Sequence, residues 1–256
     1  MKRVVPFEGP IKLEGFNNLT KALSFNLYDF CVARNEAERD SYVKYIHDKY
    51  SAKRVTAILT GICDIIEANV LAVSDQDYDP WGASSLVLMS DIKGSGVGDV
   101  KMHLDKSHIC AHTYPDFRAD GQVCSFRIDI DIATCGEISP LNALNYMFEA
   151  LDADVVIADY VVRGYTRDSR GRRVFMDHEL RSIQEYIDPK IVEQYHCIDL
   201  ALQSENIWQT KMMRTKMNER SYFVDGSNVD LEAAETRKYL EMVKNEMRGL
   251  VYQWPE

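Results

Sequence analysis

Phe126-Arg127-Ile128-Asp129-Ile130-Asp131-Ile132 sets apolar and charged side chains in alternation, the period of a strand with one face in a core and the other outside it. Upstream, the short apolar run Leu86 to Met89 reads as another strand, and downstream a further strand is expected from Val155 to about Tyr165. Around these strands the period becomes helical. Asn35, with Glu38 three residues later, forms a capping box opening a helix through Tyr42, Val43, Ile46 and Tyr50. Val55, Ile58, Leu59, Ile62, Ile65 and Ile66 then make a wide apolar stripe suited to packing on a sheet. Ser139 as N-cap and Pro140 in the first turn introduce a third helix carrying Leu141, Leu144, Phe148 and Leu151. Beyond Asp188 the signals thin until Asp230, which caps a final helix with Leu240, Val243, Met247 and Leu250 on one face. This order predicts an α+β fold: a largely antiparallel sheet with helices on one face, whose other face needs a partner.

The chain of 256 residues has room for one large domain or two small ones, and no stretch rich in Pro, Gly or Ser marks a boundary. With 46% apolar and 27% charged residues, a packed core is expected and a long disordered tail is not. Forty acidic against 30 basic side chains give a net charge of −10, which argues against nucleic acid or an anionic membrane as the main partner and suits a small cationic substrate. The six cysteines contain no C-x-x-C pair, so neither a zinc site nor a disulfide framework is suggested. No apolar run approaches the ~20 residues of a membrane span, so a cytoplasmic protein is expected. Lys93 to Gly98 reads as a mobile surface loop without the spacing of a dinucleotide or P-loop motif.

Reactive side chains are densest at Asp105-Lys106-Ser107-His108, followed by Cys110 and His112 and, past the next strand, Cys135. Spacing alone leaves two readings open. These residues form a catalytic site, or they are a common Ser-His pair, a core histidine and buried thiols.

L-D-K-S-H-I-C-A-H-T-Y-P (Leu104 to Pro115) resembles the processing segment of the bacterial S-adenosylmethionine decarboxylase proenzymes. G-F-N-N-L-T-K (Gly15 to Lys21), Q-D-Y-D-P (Gln76 to Pro80), G-A-S (Gly82 to Ser84), T-C-G (Thr134 to Gly136), I-S-P-L-N-A-L-N-Y (Ile138 to Tyr146) and R-G-Y-T-R-D (Arg163 to Asp168) also resemble the longer, enterobacterial-type branch. The resemblance implies an α/β sandwich in which the sheets of two protomers pack on each other, and an oligomer of αβ units. It implies a single catalytic domain over residues 1–256, self-cleaved between Lys106 and Ser107 into a β chain of 1–106 and an α chain of 107–256.

The same resemblance implies the site residues. The Ser107 hydroxyl attacks the Lys106 carbonyl, the ester breaks by β-elimination, and hydrolysis of the dehydroalanine leaves a pyruvoyl group. His112 resembles the base that takes the proton in that elimination, and Ser84 a helper in the same step. The pyruvoyl ketone forms a Schiff base with the substrate amine and accepts the electrons released with CO₂. Cys135 resembles the donor of the proton that replaces CO₂, with a buried core thiol as its other reading. Tyr78 and Trp81 fall where aromatic groups meet the substrate, and a packing role suits Trp81 equally. Asp116 stands where the family usually has a glutamate for the ribose hydroxyls, one methylene longer. S-adenosylmethionine is therefore the expected substrate in spermidine biosynthesis, with L-arginine or L-ornithine as alternatives and an unprocessed non-catalytic paralogue as a third reading. Arg163, Arg167, Arg170, Arg172 and Arg173 crowd a hairpin that either grips an anion or forms a solvated tip or subunit contact. Magnesium is the expected activator for this branch. Asp177, His178 and Glu179, being adjacent, point apart and are assigned no metal.

Overall fold

Strand β1 (Thr20–Val32) runs through the middle of the sheet, although its sequence carries no clean alternation. Its buried series is Lys21, Leu23, Phe25 and Leu27, and a lysine in an apolar slot hides the period. The computed structural model describes residues 18–90, 106–117, 122–136, 138–168 and 170–254, so the expected Lys93–Gly98 loop lies outside the described residues.

After β1 come helices α1 (Glu36–Lys49) and α2 (Ala52–Ile65), then strands β2 (Asn69–Asp77), β3 (Ala83–Ser90), β4 (Lys106–Phe117) and β5 (Val123–Cys135). Helix α3 (Leu144–Ala150) and strand β6 (Val155–Arg163) follow, then the short pair β7 (Thr166–Arg167) and β8 (Arg173–Val174). The chain ends with α4 (Pro189–Val192), β9 (Tyr195–Leu202), β10 (Ile207–Arg214) and α5 (Ala234–Tyr252). Among the described residues the main sheet has eight strands in the order β2-β3-β4-β5-β1-β6-β10-β9, and every neighbouring pair is antiparallel. Strands from both sides of the Lys106–Ser107 bond thus share one sheet.

β5 behaves as its sequence requires: Phe126, Ile128, Ile130 and Ile132 are buried while Asp131 is exposed. Burying those four side chains contributes roughly 6 to 12 kcal/mol before entropy is charged against it. Their partners are the α2 residues Val55, Ile58, Leu59 and Ile62 and the α1 residues Val43 and Ile46, all in one core with Leu141, Leu144 and Met147. Tyr50 stacks on Phe126 with ring centroids 4.3 Å apart.

Helix ends depart from expectation in three places. The Asn35 side chain accepts the Glu38 N–H at 3.0 Å, but the Glu38 carboxylate turns to Arg34 at 2.7 Å rather than completing the box. Pro140–Ala143 forms a separate 3-10 turn before α3, and the Ser139 side chain caps neither. Ala233, not Asp230, is the N-cap of α5; Asp230 instead accepts the Glu232 N–H at 3.0 Å in the preceding turn.

Helices α1 to α3 lie on one face, as expected, whereas α5 packs on the opposite one. There Tyr239, Leu240, Val243, Met247 and Val251 form a second core with Phe30, Val32 and Val155. Beneath it, Asp154 accepts the Tyr222 hydroxyl at 2.6 Å and the Phe30 N–H at 3.1 Å. Burial, then the nearby Asp154 charge, pushes the Asp29 carboxyl up to about 8. Strands β9 and β10 occupy the region where the sequence signals thin. β10 alternates Trp208, Thr210 and Met212 inward, but polar Thr210 obscures the pattern, and β9 is a largely exposed edge strand.

Candidate active site

Alternation along β4 divides the expected site residues between two faces. Ser107, Ile109 and Ala111 point to the helix-covered side and are buried. His108, Cys110, His112, Tyr114 and Asp116 take the other phase, on the face that α1 to α3 leave open.

Ser107 stands at the first turn of phase in β4, only 1% exposed, and its Oγ accepts the backbone N–H of Cys135 at 3.1 Å. Cys135 is the last residue of β5, partly buried, and Gly136 leaves the strand with a left-handed φ of 72°, a conformation that costs glycine nothing. The turn is tied on both sides. Gly136 N–H donates to the Leu19 carbonyl at 3.1 Å, and the Thr134 hydroxyl donates to the Ile138 carbonyl at 3.0 Å.

A second group gathers farther along the open face. Ser84 of β3 sits directly opposite His112, and the Tyr78 hydroxyl donates to the Ser84 Oγ at 2.8 Å. On its other side His112 is opposite Asp129. Burial raises the Asp129 carboxyl above its ordinary range, against the pull of Arg127 at 3.0 Å and of His112. Its Oδ1 is buried with no hydrogen-bond partner among the described residues. Tyr114 lies under the Arg127 guanidinium, 4.3 Å from ring centroid to carbon, and exposed Asp116 is opposite Ser125.

The two groups do not meet within one chain. Residues 107 and 112 are separated by roughly 16 Å of extended strand, with side chains on opposite faces. Trp81 joins neither group: its ring meets His47 of α1 edge-on at 6.1 Å, in a cleft with Val43, Tyr50 and Thr113. Tyr78 is 43% exposed on the Ser84 side, open to a ligand.

Asp129 and Lys21 are site neighbours that sequence reading passes over. Asp129 was legible only as one polar tooth of an alternating strand, and Lys21 as one letter of a motif. The arginine hairpin is an exposed tip, where Arg173 and Arg167 stack on Tyr165 at 5.1 and 5.6 Å and Arg172 pairs with Asp168 at 2.7 Å. Among the described residues no three His, Cys, Asp or Glu side chains converge as a metal-ligand set. Nor is any described helix long and apolar enough to cross a membrane.

The family model for S-adenosylmethionine decarboxylase matches residues 45–164. The chain is 44% identical over 254 residues to the S-adenosylmethionine decarboxylase proenzyme of Photorhabdus laumondii, covering 94% of this chain and 96% of that one. It is 46% identical over 251 residues to the proenzyme of the same name from Halorhodospira halophila, covering 93% and 92%. Among solved structures, the adenosylmethionine decarboxylase of Aquifex aeolicus is similar with a TM-score of 0.35 at 16% identity, over 65% of this chain and 100% of that one. With such identity maintained along almost its whole length, the chain belongs to the S-adenosylmethionine decarboxylase proenzyme family.

Proposed function

We propose that this chain is a self-processing, pyruvoyl-dependent decarboxylase that converts S-adenosylmethionine to its decarboxylated form and CO₂, supplying aminopropyl groups for spermidine synthesis in the cytoplasm. The observation that carries the reading is the Cys135 N–H held 3.1 Å from the Ser107 Oγ, in a chain of this family. A fixed N–H donor holds the Ser107 Oγ in one orientation for its attack on the Lys106 carbonyl. The Oγ–C bond forms, the Lys106–Ser107 C–N bond breaks, and the hydroxyl proton passes to the released amine. His112 then takes the Ser107 α-proton while the Cβ–O bond breaks, Ser84 holding the base, and water releases ammonia from the remaining dehydroalanine.

The residues suit the group that results, because it is made from Ser107 itself and the Cys135 backbone lies against it, the thiol taking the open-face phase of β5. The pyruvoyl group supplies the electron sink for loss of CO₂. Cys135 delivers the proton to the carbon that has lost it, Tyr78 offers an aromatic face to the sulfonium or adenine, and Asp116 accepts from the ribose hydroxyls.

Each site is assembled from two protomers. The roughly 16 Å between residues 107 and 112 favours this reading, because a base must come within about 3 Å of the proton it takes. A second copy packed sheet to sheet across the part of the open face that α5 leaves free would bring its Tyr78, Ser84, His112 and Asp116 against the Ser107 backbone and against Cys135, which takes the open-face phase of β5, while the Ser107 Oγ stays on the helix-covered side. Exposed Leu86, Leu200, Leu202 and Ile207 give that face the apolar area such packing needs. Intact-mass analysis tests the processing: two chains ending at Lys106 and starting at a pyruvoyl group are expected, and a single unprocessed chain would refute it. CO₂ release from S-adenosylmethionine, arginine and ornithine in parallel tests the substrate, and no release from the first refutes the assignment.

A further inference from the structure

Lys21 is 0% exposed, in line with Leu23 and Phe25 on the helix-covered side of β1. Its ammonium donates to the Gly136 carbonyl at 3.0 Å and pairs with the Asp177 carboxylate. Asp177 holds the His178 Nδ1 at 2.6 Å, and His178 Nε2 lies 3.4 Å from the Tyr160 hydroxyl. Burial alone would raise the Asp177 carboxyl, but the His178 hydrogen bond and the Lys21 charge outweigh it and hold it below its ordinary range. A buried ion pair is a poor stabiliser compared with well-packed apolar side chains, so its position carries the interest. The carbonyl it grips belongs to the residue after Cys135, whose N–H is aimed at Ser107.

We infer that Lys21 is a positioning residue for self-cleavage: through the Gly136 carbonyl it fixes the turn that holds the Cys135 N–H on the Ser107 Oγ. The inference rests on the reading of Ser107 as the attacking hydroxyl. Gly136 is pinned by Leu19 at its N–H and by Lys21 at its carbonyl, so the peptides leading into it have one orientation. Without the ammonium the turn keeps its backbone tie but loses the one that sets its tilt. A 1 Å loss of aim is enough to slow a positioned reaction.

The test follows cleavage of freshly translated chains on denaturing gels, with circular dichroism to verify folding. Lys21→Met/Asp177→Asn removes both charges together, leaving no unpaired buried ion. It is expected to fold and to cleave on the order of tenfold or more slower, as loss of a charge-assisted hydrogen bond predicts. The accumulated precursor should resist hydroxylamine, which cuts an ester but not an amide, because the first step is the slowed one. Asp177→Asn alone keeps the amine donor and should cleave within about threefold of wild type. Lys21→Gln/Asp177→Asn, neutral but still able to donate, should cleave faster than the Met/Asn pair. A folded Met/Asn pair cleaving at the wild-type rate, or stalling as a hydroxylamine-sensitive ester, overturns the inference. If that pair does not fold, a folded Gln/Asn pair more than about tenfold slower than wild type overturns it instead. A wild-type chain that never cleaves, or a Ser107→Ala chain that does, refutes the Ser107 reading itself.

Discussion

Two inactive variants should repair each other. Ser107→Ala removes the proposed attacking hydroxyl and His112→Ala the proposed base, and neither chain alone should be cleaved. Five residue steps along β4 separate the two positions, roughly 16 Å on opposite faces, against the roughly 3 Å a proton transfer requires. If the base comes from the facing protomer, a mixed pair contains one complete site: Ser107 of the His112→Ala chain with His112 of the Ser107→Ala chain. Random assortment places about half of the His112→Ala chains in such pairs, because a two-fold interface uses the same patch on both copies. The assay is co-expression with two distinguishable tags, isolation of mixed oligomers through both, and a denaturing gel read for the His112→Ala chain. Cleavage approaching half of that chain is expected in the unfractionated pool, and most of it in the isolated mixed oligomers. Isolated mixed oligomers in which the His112→Ala chain stays whole would refute the shared site, as would its cleavage when expressed alone.

Cys135→Ala keeps the backbone N–H that touches Ser107, so it should still be cleaved while decarboxylating on the order of a hundredfold or more slowly; lost cleavage would assign the thiol the wrong step. Asp129→Asn removes the carboxylate opposite His112 and should stall elimination, accumulating a precursor that hydroxylamine cuts; wild-type cleavage kinetics would remove Asp129 from the site. Asp29 has its folded pKa raised to about 8, so between the unfolded value of about 4 and that pH the folded state binds the extra proton and stability falls as pH rises. The slope is at most about 1.4 kcal/mol per pH unit, and Asp29→Asn should flatten it in urea titrations from pH 5 to 8; an unchanged slope would place the titrating group elsewhere. Ile130→Ala, at a fully buried β5 position, should cost about 2 to 5 kcal/mol of unfolding free energy, and a loss under about 1 kcal/mol would mean the core collapses around it.

Where local period and burial agree, the sequence is enough to read the element. Phe126 to Ile132 and Val55 to Ile66 declare their elements because every inward position is apolar. β1 and β10 do not, because Lys21 and Thr210 occupy inward positions and find their partners in distant residues: Gly136 and Asp177 for the lysine, Asp199 for the threonine. A polar group satisfied by a long-range bond looks, in sequence, like an outward-facing one. α5 was legible as an amphipathic helix, but the face it covers depends on Phe30, Val32 and Val155 meeting on the far side of the sheet.

The same division holds for the site. By itself the sequence determined the family and the reactive residue types, because Lys106-Ser107 and the motifs around it are local patterns. That a strand, β4, begins where the cut is expected came from the structure. Only the tertiary structure decided which residues are neighbours: Ser107 with the Cys135 amide, His112 between Ser84 and Asp129, Trp81 apart from both, and Lys21 beneath the turn. The reason is register, since side chains on a strand alternate faces and their cross-strand partners are set by pairings between segments far apart in the chain.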